Sequence, residues 1–227
     1  TLNAKIGRET PLIGDMRTRV TNSRPVLYFE TNDAGALFRF TDVYPRMVGG
    51  KMWMGMDPPS QDASPQEGIL NVRDFAIRGE TALDRVVAGA PNGGLKNNTI
   101  EFSQARADFT RSPGRMAIRD GVLRGPMIGA TVEGNIDYVH DRVNVRGTLV
   151  PLYGLNNMFG QIPIVGLFLG GGSNEGIFGI TYEVTGPTSD PRPMVNPISA
   201  IAPGMLRKFF EFRDTSADRG FAEPSTR

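Results

Sequence analysis

The sequence predicts a mainly β protein: a long twisted antiparallel sheet with a few short helices at its edge and end. Apolar and polar residues alternate along much of the chain, as in strands with one buried face. The 28 glycines and 17 prolines among 227 residues indicate frequent turns. Only three short stretches have helical spacing, which is too few to cover a large sheet.

The first elements are short strands followed by a helix. Leu2, Ala4 and Ile6 alternate with polar residues at the start of the chain, so we expect a fragment that begins inside a larger architecture. Weaker alternation predicts strands at residues 16–20 and 26–31. Asp33 then provides an N-cap for a helix over residues 34–40.

The next segment adds three strands and a second helix. Alternation predicts strands at residues 69–77, 100–110 and 116–124, several with a parity slip that indicates a bulge. Between the first two of these, Thr81 provides a cap for a helix over residues 82–90, which Pro91 ends.

The clearest alternation lies in the centre of the chain. In residues 130–138, Val132 and Ile136 belong to the apolar parity and the other parity is polar. Residues 143–149 repeat this pattern after a turn at His140 and Asp141. The two segments therefore predict an antiparallel hairpin.

The C-terminal part contains one more strand and a final helix. Residues 178–185 alternate cleanly before Gly186 and Pro187, which brings the expected total to eight or nine strands. Pro203 can open a helix that continues to about residue 212. Residues 214–227 are polar, and we expect a disordered tail there.

Residues 151–172 form the one strongly biased segment. It is apolar, but Pro163 and several glycines interrupt it, which predicts a short helix and a tight turn rather than a membrane span. Two interpretations stay open. The segment is either a plug that completes a core, or a lid or membrane-contacting end of the sheet.

The apolar side of the predicted sheet also has two solutions. The short helices cannot cover eight strands, so the sheet either closes on itself as a sandwich or barrel, or stays open as a groove that an apolar partner fills. The alternation is the same in both cases.

Composition and charge exclude several function classes. Twenty-five basic and 24 acidic side chains nearly cancel, so the chain has no global field for nucleic acid or another polyanion. The absence of cysteine excludes disulfides, thiolate zinc sites and cysteine nucleophiles. The single histidine excludes sites that need two.

The remaining candidates for catalytic or ligand sites have simpler explanations. His140 beside Asp141 fits a solvated turn, and the acidic pairs Asp57 with Asp62 and Glu80 with Asp84 lack the spacing of a calcium loop. The glycines at residues 170–172 lack the lysine of a phosphate-binding loop. We therefore predict no catalytic residues, no metal and no cofactor, and a protein that is not an enzyme.

Two apolar clusters leave alternatives open. Met52, Trp53, Met54 and Met56 fit core packing or a pliable contact with lipid or a partner. In the last predicted helix, basic residues follow Leu206 and flank an apolar face. They fit either helix-end charge complementarity or pairing with lipid phosphates, and they are Arg207, Lys208 and Arg213.

A family resemblance emerges from the order of motifs between about residues 30 and 213. The most specific are VPLYGLN at residues 150–156, IPIVG at 162–166, YEVTG at 182–186, VNP at 195–197 and APGMLR at 202–207. They follow DAGAL at residues 33–37, the Gly49–Gly50 pair before a strand, VRDF at 72–75, DGV at 120–122 and GP at 125–126. In this order they resemble the C-terminal region of AsmA-like proteins, the bacterial envelope family that includes AsmA, TamB and YhdP.

The resemblance implies a role in lipid traffic. Members of this family are anchored in the inner membrane by an N-terminal helix, extend a β-groove through the periplasm and are associated with outer-membrane biogenesis and bridge-like lipid transport. It implies that residues 1–213 are the C-terminal segment of such a groove in the cell envelope, facing the outer membrane. The N-terminal anchor of the family is not in this sequence.

We therefore expect non-enzymatic phospholipid transport between inner and outer membrane along an open groove. The alternative is a structural or protein-binding β-module of envelope assembly with a closed, dry core. The residues expected to line the lipid groove are Ile118, Val122, Val132, Ile136, Tyr138, Val143, Val145, Leu149, Phe178, Ile180, Tyr182 and Val184. Those expected at the end that meets the outer membrane or an envelope protein are Leu152, Tyr153, Leu155, Phe159, Ile164, Leu167, Phe168, Leu206, Phe209 and Phe210.

Overall fold

A computed structural model describes residues 1–7, 9–19, 23–60, 62–80, 98–151 and 178–200 of the chain. These residues form one antiparallel sheet of eleven strands, and every strand pairs with its neighbours in sequence. Within the described residues, β1 and β11 are the two edges of the sheet. The prediction of a mainly β protein with a long antiparallel sheet is confirmed.

The eleven strands and the single described helix follow one another along the chain. The strands are β1 (Leu2–Ile6), β2 (Thr10–Thr18), β3 (Pro25–Thr31), β4 (Met47–Met56), β5 (Gln66–Arg78), β6 (Thr99–Ser112), β7 (Arg115–Arg124), β8 (Ile128–Asp137), β9 (Arg142–Pro151), β10 (Phe178–Gly186) and β11 (Arg192–Ala200). The helix α1 (Ala34–Phe40) lies between β3 and β4. The predicted helices over residues 82–90 and 203–212 and the predicted tail lie outside the described residues.

Helix α1 is fixed by its cap and by close packing against β4. The Asp33 carboxylate accepts a hydrogen bond from the Ala36 amide at 2.8 Å, as the N-cap prediction requires. A Cβ on Gly35 would lie 2.5 Å from the Met47 carbonyl oxygen, so only glycine allows this approach. The Arg39 guanidinium donates to the same carbonyl at 2.7 Å. The helix therefore stays against the start of β4.

The hydrophobic core lies beside α1, near the same ends of several central strands. It is a cluster of buried side chains from α1 and from β4, β5, β6, β8 and β9, and it contains Ala34, Met47, Met52, Val72, Phe75, Ile77, Ile100, Phe102, Ile128, Ala130 and Leu149. The rings of Phe75 and Phe102 stack with their centroids 5.2 Å apart. Helix α1 and this cluster therefore cover the sheet along one set of strand ends.

Strand β5 changes the face on which its alternate side chains lie, so residues from both halves of the strand enter this core. Val72 and Phe75 are three residues apart, yet both are buried in the cluster. A Cβ on Gly50 would lie 2.9 Å from Val72 Cγ1 and 3.0 Å from Phe75 Cβ, so both side chains flank the same side of β4. Asp74 has a φ of 54°, which is the left-handed conformation that makes the switch.

Candidate functional site

One face of the sheet is apolar from β1 to β10. In an antiparallel sheet, directly paired residues point to the same face. Following these pairs from β1 to β10 gives what we call the middle row: Leu2, Gly14, Phe29, Met54, Leu70, Ala107, Gly121, Val132, Gly147 and Tyr182. With strands about 4.8 Å apart, this row is roughly 43 Å long.

The rows on either side of the middle row continue the pattern. The outer row, farther from the core, contains Met16, Leu27, Met56, Gly68, Phe109, Ile118, Gly134, Val145, Val184 and Pro193. The inner row, next to the core, contains Ala4, Leu12, Thr31, Met52, Val72, Ala105, Leu123, Ala130, Leu149 and Ile180. Thr31 is its only polar member, and its hydroxyl accepts a hydrogen bond from the Asp33 amide at 3.3 Å. We call the three rows together the apolar face.

Glycines on the apolar face are covered by the side chains paired with them. A Cβ on Gly68 would lie 2.3 Å from the Phe109 ring, and one on Gly121 would lie 2.2 Å from Val132 Cγ1. Gly14 lies under Phe29 in the same way, with ring atoms 3.1 Å from the Cβ position. The large side chains therefore lie flat against the neighbouring strand, so few of them protrude from the face.

The apolar face is partly open to solvent. Leu2 is 50 % exposed and Met16 is 53 % exposed, whereas Val145 and Leu149 are 8 % and 4 % exposed. Val132, Ile118 and Val184 lie between these extremes. The described residues thus leave apolar surface accessible, and more of it near β1 and β2 than near β9.

The opposite face, which we call the polar face, carries paired charges but also buries apolar side chains, since Val26, Tyr28 and Val122 are 0 %, 1 % and 8 % exposed. Arg146 donates to Glu133 at 2.8 Å on paired positions of β8 and β9, and Arg115 donates to Asp137 at 3.0 Å between β7 and β8. A register row on this face contains Trp53, Asn71, Arg106, Val122, Thr131, Thr148 and Thr181. The polar face therefore carries ion pairs that the three rows of the apolar face lack, although part of it is also buried.

Most residues predicted for the lipid groove lie together on the apolar face or in the row at its rim. Ile118, Val132, Val145, Leu149, Ile180, Tyr182 and Val184 belong to its three rows, and Ile136 and Val143 pair with each other one step beyond the outer row. Phe178 starts β10, but its side chain is not among those described.

Two of the predicted groove residues are placed differently. The pairing of β7 with β8 shifts between Ile118 and Gly121, so Val122 pairs with Thr131 and lies on the polar face; its predicted place beside Ile118 is wrong. The shift is a bulge, and one extra residue turns later side chains to the other face. Tyr138 lies just after β8, in the turn, and is 51 % exposed.

The residues predicted for the membrane or partner end lie outside the described residues, since they fall in residues 152–177 and 201–227. The same holds for Arg207, Lys208 and Arg213. The methionine cluster is divided between faces, because Met52, Met54 and Met56 belong to the apolar face and Trp53 to the polar one.

The acidic and histidine candidates have structural partners. His140 lies in the predicted turn, with Nδ1 2.9 Å from an Asp137 oxygen, and this contact lowers the pKa of the Asp137 carboxyl to about 2. Asp57 accepts from Arg19 at 2.8 Å and from the Glu67 amide at 3.1 Å. Among the described residues, no three histidine or acidic side chains gather as metal ligands.

Sequence reasoning missed the N-terminal half of the apolar face. The missed residues are Leu27, Phe29, Leu70, Ala107 and Phe109, whereas Met54 and Met56 were interpreted as core packing or as a contact with lipid or a partner. Alternation in residues 26–31 and 69–77 contains part of the signal, but only the register joins separate strands into one surface. Gly14, Gly55 and Gly68 also interrupt the alternation of apolar and polar residues in these strands.

Comparisons with family models, with curated proteins and with solved structures found no match to this chain. The family resemblance of its motifs therefore stays a prediction. In the part of the chain that the structure describes, no helix has the length and apolar character needed to cross a bilayer.

Proposed function

We propose that this chain binds phospholipid by its acyl chains along the apolar face and conducts it between the inner and outer membranes of a bacterial envelope, without catalysis. The single observation that supports this proposal is the middle row, in which each strand from β1 to β10 contributes an apolar residue to one continuous line. An apolar line of that length is unusual on a surface that retains exposure.

The physical reason is the cost of moving an acyl chain through water. Each methylene kept from water is worth about 0.8 kcal/mol, so exposing one acyl chain costs on the order of 10 kcal/mol. An apolar face removes most of that cost, while the head group stays at the rim in solvent. Neighbouring strands contribute apolar residues to the same rows, so a lipid can move from one strand to the next without its acyl chains leaving the apolar face.

The location and partners follow from the same proposal. Transport between two membranes places the chain in the periplasm, as part of a protein anchored in the inner membrane. The C-terminal end then delivers lipid to the outer membrane or to an envelope protein. The AsmA-like motifs support this location.

A second candidate is a structural or protein-binding module whose apolar face packs against protein. Phe109, Val145 and Leu149 favour it, because each is less than 9 % exposed and already resembles a dry core. The exposure of Leu2 and Met16 favours the lipid-binding function instead.

Site-specific photocrosslinking tests the proposal with neighbouring positions as matched controls. A photoreactive residue at Val132 or Ile180, on the apolar face, is expected to capture phospholipid from cells. The same residue at Glu133 or Thr181, on the polar face, is expected to capture little. Equal capture of lipid at both parities, or capture of protein alone at Val132 and Ile180, would contradict lipid conduction.

A further inference from the structure

One positive charge lies at the rim of the apolar face. The rim row is one step beyond the outer row and contains Gln66, Arg111, Met116, Ile136, Val143 and Gly186. Within this row and the three rows of the apolar face, Arg111 is the only charged side chain. It is exposed, and its row partner on β7 is Met116.

Arg111 is held in place by a neutral partner. Its Nη1 donates to Gln66 Oε1 at 2.8 Å. Gln66 is 7 % exposed, and its Nε2 donates to the Asp57 carbonyl oxygen at 2.7 Å, which leaves the amide oxygen turned toward Arg111. The guanidinium is therefore positioned without being neutralised.

The acidic side chains of the adjoining segments are engaged elsewhere. Asp57 accepts hydrogen bonds from Arg19 and from the Glu67 amide, and Glu67 forms an ion pair with Arg119. Among the described residues, no carboxylate oxygen lies within 4.0 Å of the Arg111 guanidinium nitrogens. Its positive charge thus faces solvent at the boundary between apolar surface and water.

Tyr138 lies near the same charge. Burial raises the pKa of the Tyr138 hydroxyl, and the charge of Arg111 acts in the opposite direction. Its amide donates to the Gly114 carbonyl oxygen at 2.8 Å, which fixes the turn next to the rim row. Among the described residues, the surroundings of Arg111 therefore combine a cation, a phenol and apolar side chains, and the adjoining acids Asp57 and Glu67 are paired with Arg19 and Arg119.

We propose that Arg111 binds the phosphate of a phospholipid whose acyl chains lie on the apolar face, an inference that rests on the proposed function. From the rim row to the inner row there are three steps of about 6.8 Å, roughly 20 Å in all. The acyl chains of one leaflet span about 15 Å, half of a hydrocarbon core of about 30 Å. A phosphate at Arg111 therefore leaves room for the chains along β6 and its neighbours.

The test compares two lipids with the same acyl chains. The purified 227-residue chain is loaded with dioleoylphosphatidylglycerol or with dioleoylglycerol, which lacks the phosphate, and bound lipid is measured after gel filtration. Arg111→Gln is expected to reduce phosphatidylglycerol binding about 2- to 5-fold, as loss of one solvent-exposed ion pair predicts, and to leave dioleoylglycerol binding unchanged. Arg111→Lys keeps the charge and is expected to retain the preference. Arg146→Gln, on the polar face, is the matched control and is expected to change neither.

The outcomes separate this inference from the proposed function. If both lipids bind and Arg111→Gln lowers neither selectively, the phosphate contact is wrong and lipid binding stands. If neither lipid binds to the wild-type chain, both proposals fail. If 10 mM inorganic phosphate alone binds in an Arg111-dependent way and phosphatidylglycerol shows no advantage over dioleoylglycerol, the site serves free phosphate and the lipid assignment is overturned.

Discussion

The Tyr182 hydroxyl on β10 donates a 2.8 Å hydrogen bond to the Thr131 carbonyl oxygen on β8, reaching across the glycine of the strand between them. A Cβ on that glycine, Gly147, would lie 1.9 Å from the same carbonyl oxygen and 2.7 Å from the Tyr182 hydroxyl. The Thr148 amide bonds to the Thr131 hydroxyl at 3.0 Å. The phenol thus satisfies the carbonyl while its ring covers Gly147 on the apolar face.

Tyr182→Phe is expected to destabilise the protein while leaving the apolar face intact. The substitution removes the donor and leaves the Thr131 carbonyl without this partner, which costs about 1–3 kcal/mol. Chemical denaturation measures this cost. Tyr138→Phe is the control, because Tyr138 is 51 % exposed, and its change is expected within about 0.5 kcal/mol. Equal effects of the two substitutions would contradict a structural role for the hydrogen bond.

Burial raises the pKa of the Tyr182 hydroxyl in the folded protein, which gives a pH prediction of its own. Because the unfolded phenol loses its proton first, the stability that the neutral hydroxyl supplies is complete below about pH 10 and falls as the pH rises above that value. We expect Tyr182→Phe to reduce the loss of stability between pH 9 and pH 11. Denaturation curves across that range, compared with those of Tyr138→Phe, measure the difference.

Gly68→Ala is expected to destabilise the sheet more than Gly14→Ala. Both glycines lie under a phenylalanine, but the added Cβ would lie 2.3 Å from the Phe109 ring and 3.1 Å from the Phe29 ring. Overpacking of the first kind costs about 1–3 kcal/mol, whereas the second needs only a small adjustment. Thermal or chemical denaturation gives the order. Phe109→Leu in the Gly68→Ala background is expected to recover part of the loss, and additive effects would show that the ring is not the cause.

Acid is expected to remove the stability that Asp137 provides. The His140 hydrogen bond, together with Arg115, lowers the pKa of the Asp137 carboxyl from 3.8 to about 2. The unfolded carboxyl therefore takes up a proton first, so this stability is present above about pH 4 and lost as the pH falls toward 2. Asp137→Asn is expected to flatten the acid dependence in this range, and His140→Gln to flatten part of it. Unchanged profiles in both variants would contradict the assignment.

Ala107→Asp is expected to impair lipid binding more than folding. Ala107 is partly exposed in the middle row, so a carboxylate there remains hydrated while it interrupts the apolar line. We expect a soluble, folded variant that retains several-fold less dioleoylphosphatidylglycerol after gel filtration. Asn135→Asp, exposed on the polar face, is the control. A variant that unfolds in proportion to its loss of lipid would favour the closed, dry module.

The sequence alone correctly predicted the strands whose two faces differ in polarity. β8, β9 and β10 have clean alternation, and their predicted hairpin and shared apolar parity are confirmed. The bulges were also indicated, but not where each one turns the chain, and so Val122 was assigned to the wrong face. A parity slip locates a bulge only to within a few residues.

Alternation did not indicate two strands. β4 contains Gly49, Gly50 and Gly55, residues that a propensity argument places in loops, and it forms because Met52 is buried against Val72. β11 contains Pro193 and Pro197, which argue against a strand in the interior of a sheet. At an edge the missing amide hydrogens are tolerated. Both strands form because of their neighbours in the folded sheet, and the local sequence does not indicate those neighbours.

All ten pairings of the sheet join strands that are consecutive in the chain. No pairing requires the chain ends to meet, so contact order is low for an all-β protein and the sheet can assemble one hairpin at a time. Stability then resembles a sum over neighbouring strands, as in repeat proteins. A hairpin inserted or deleted at a turn would lengthen or shorten the apolar rows without changing the register of the strands already present.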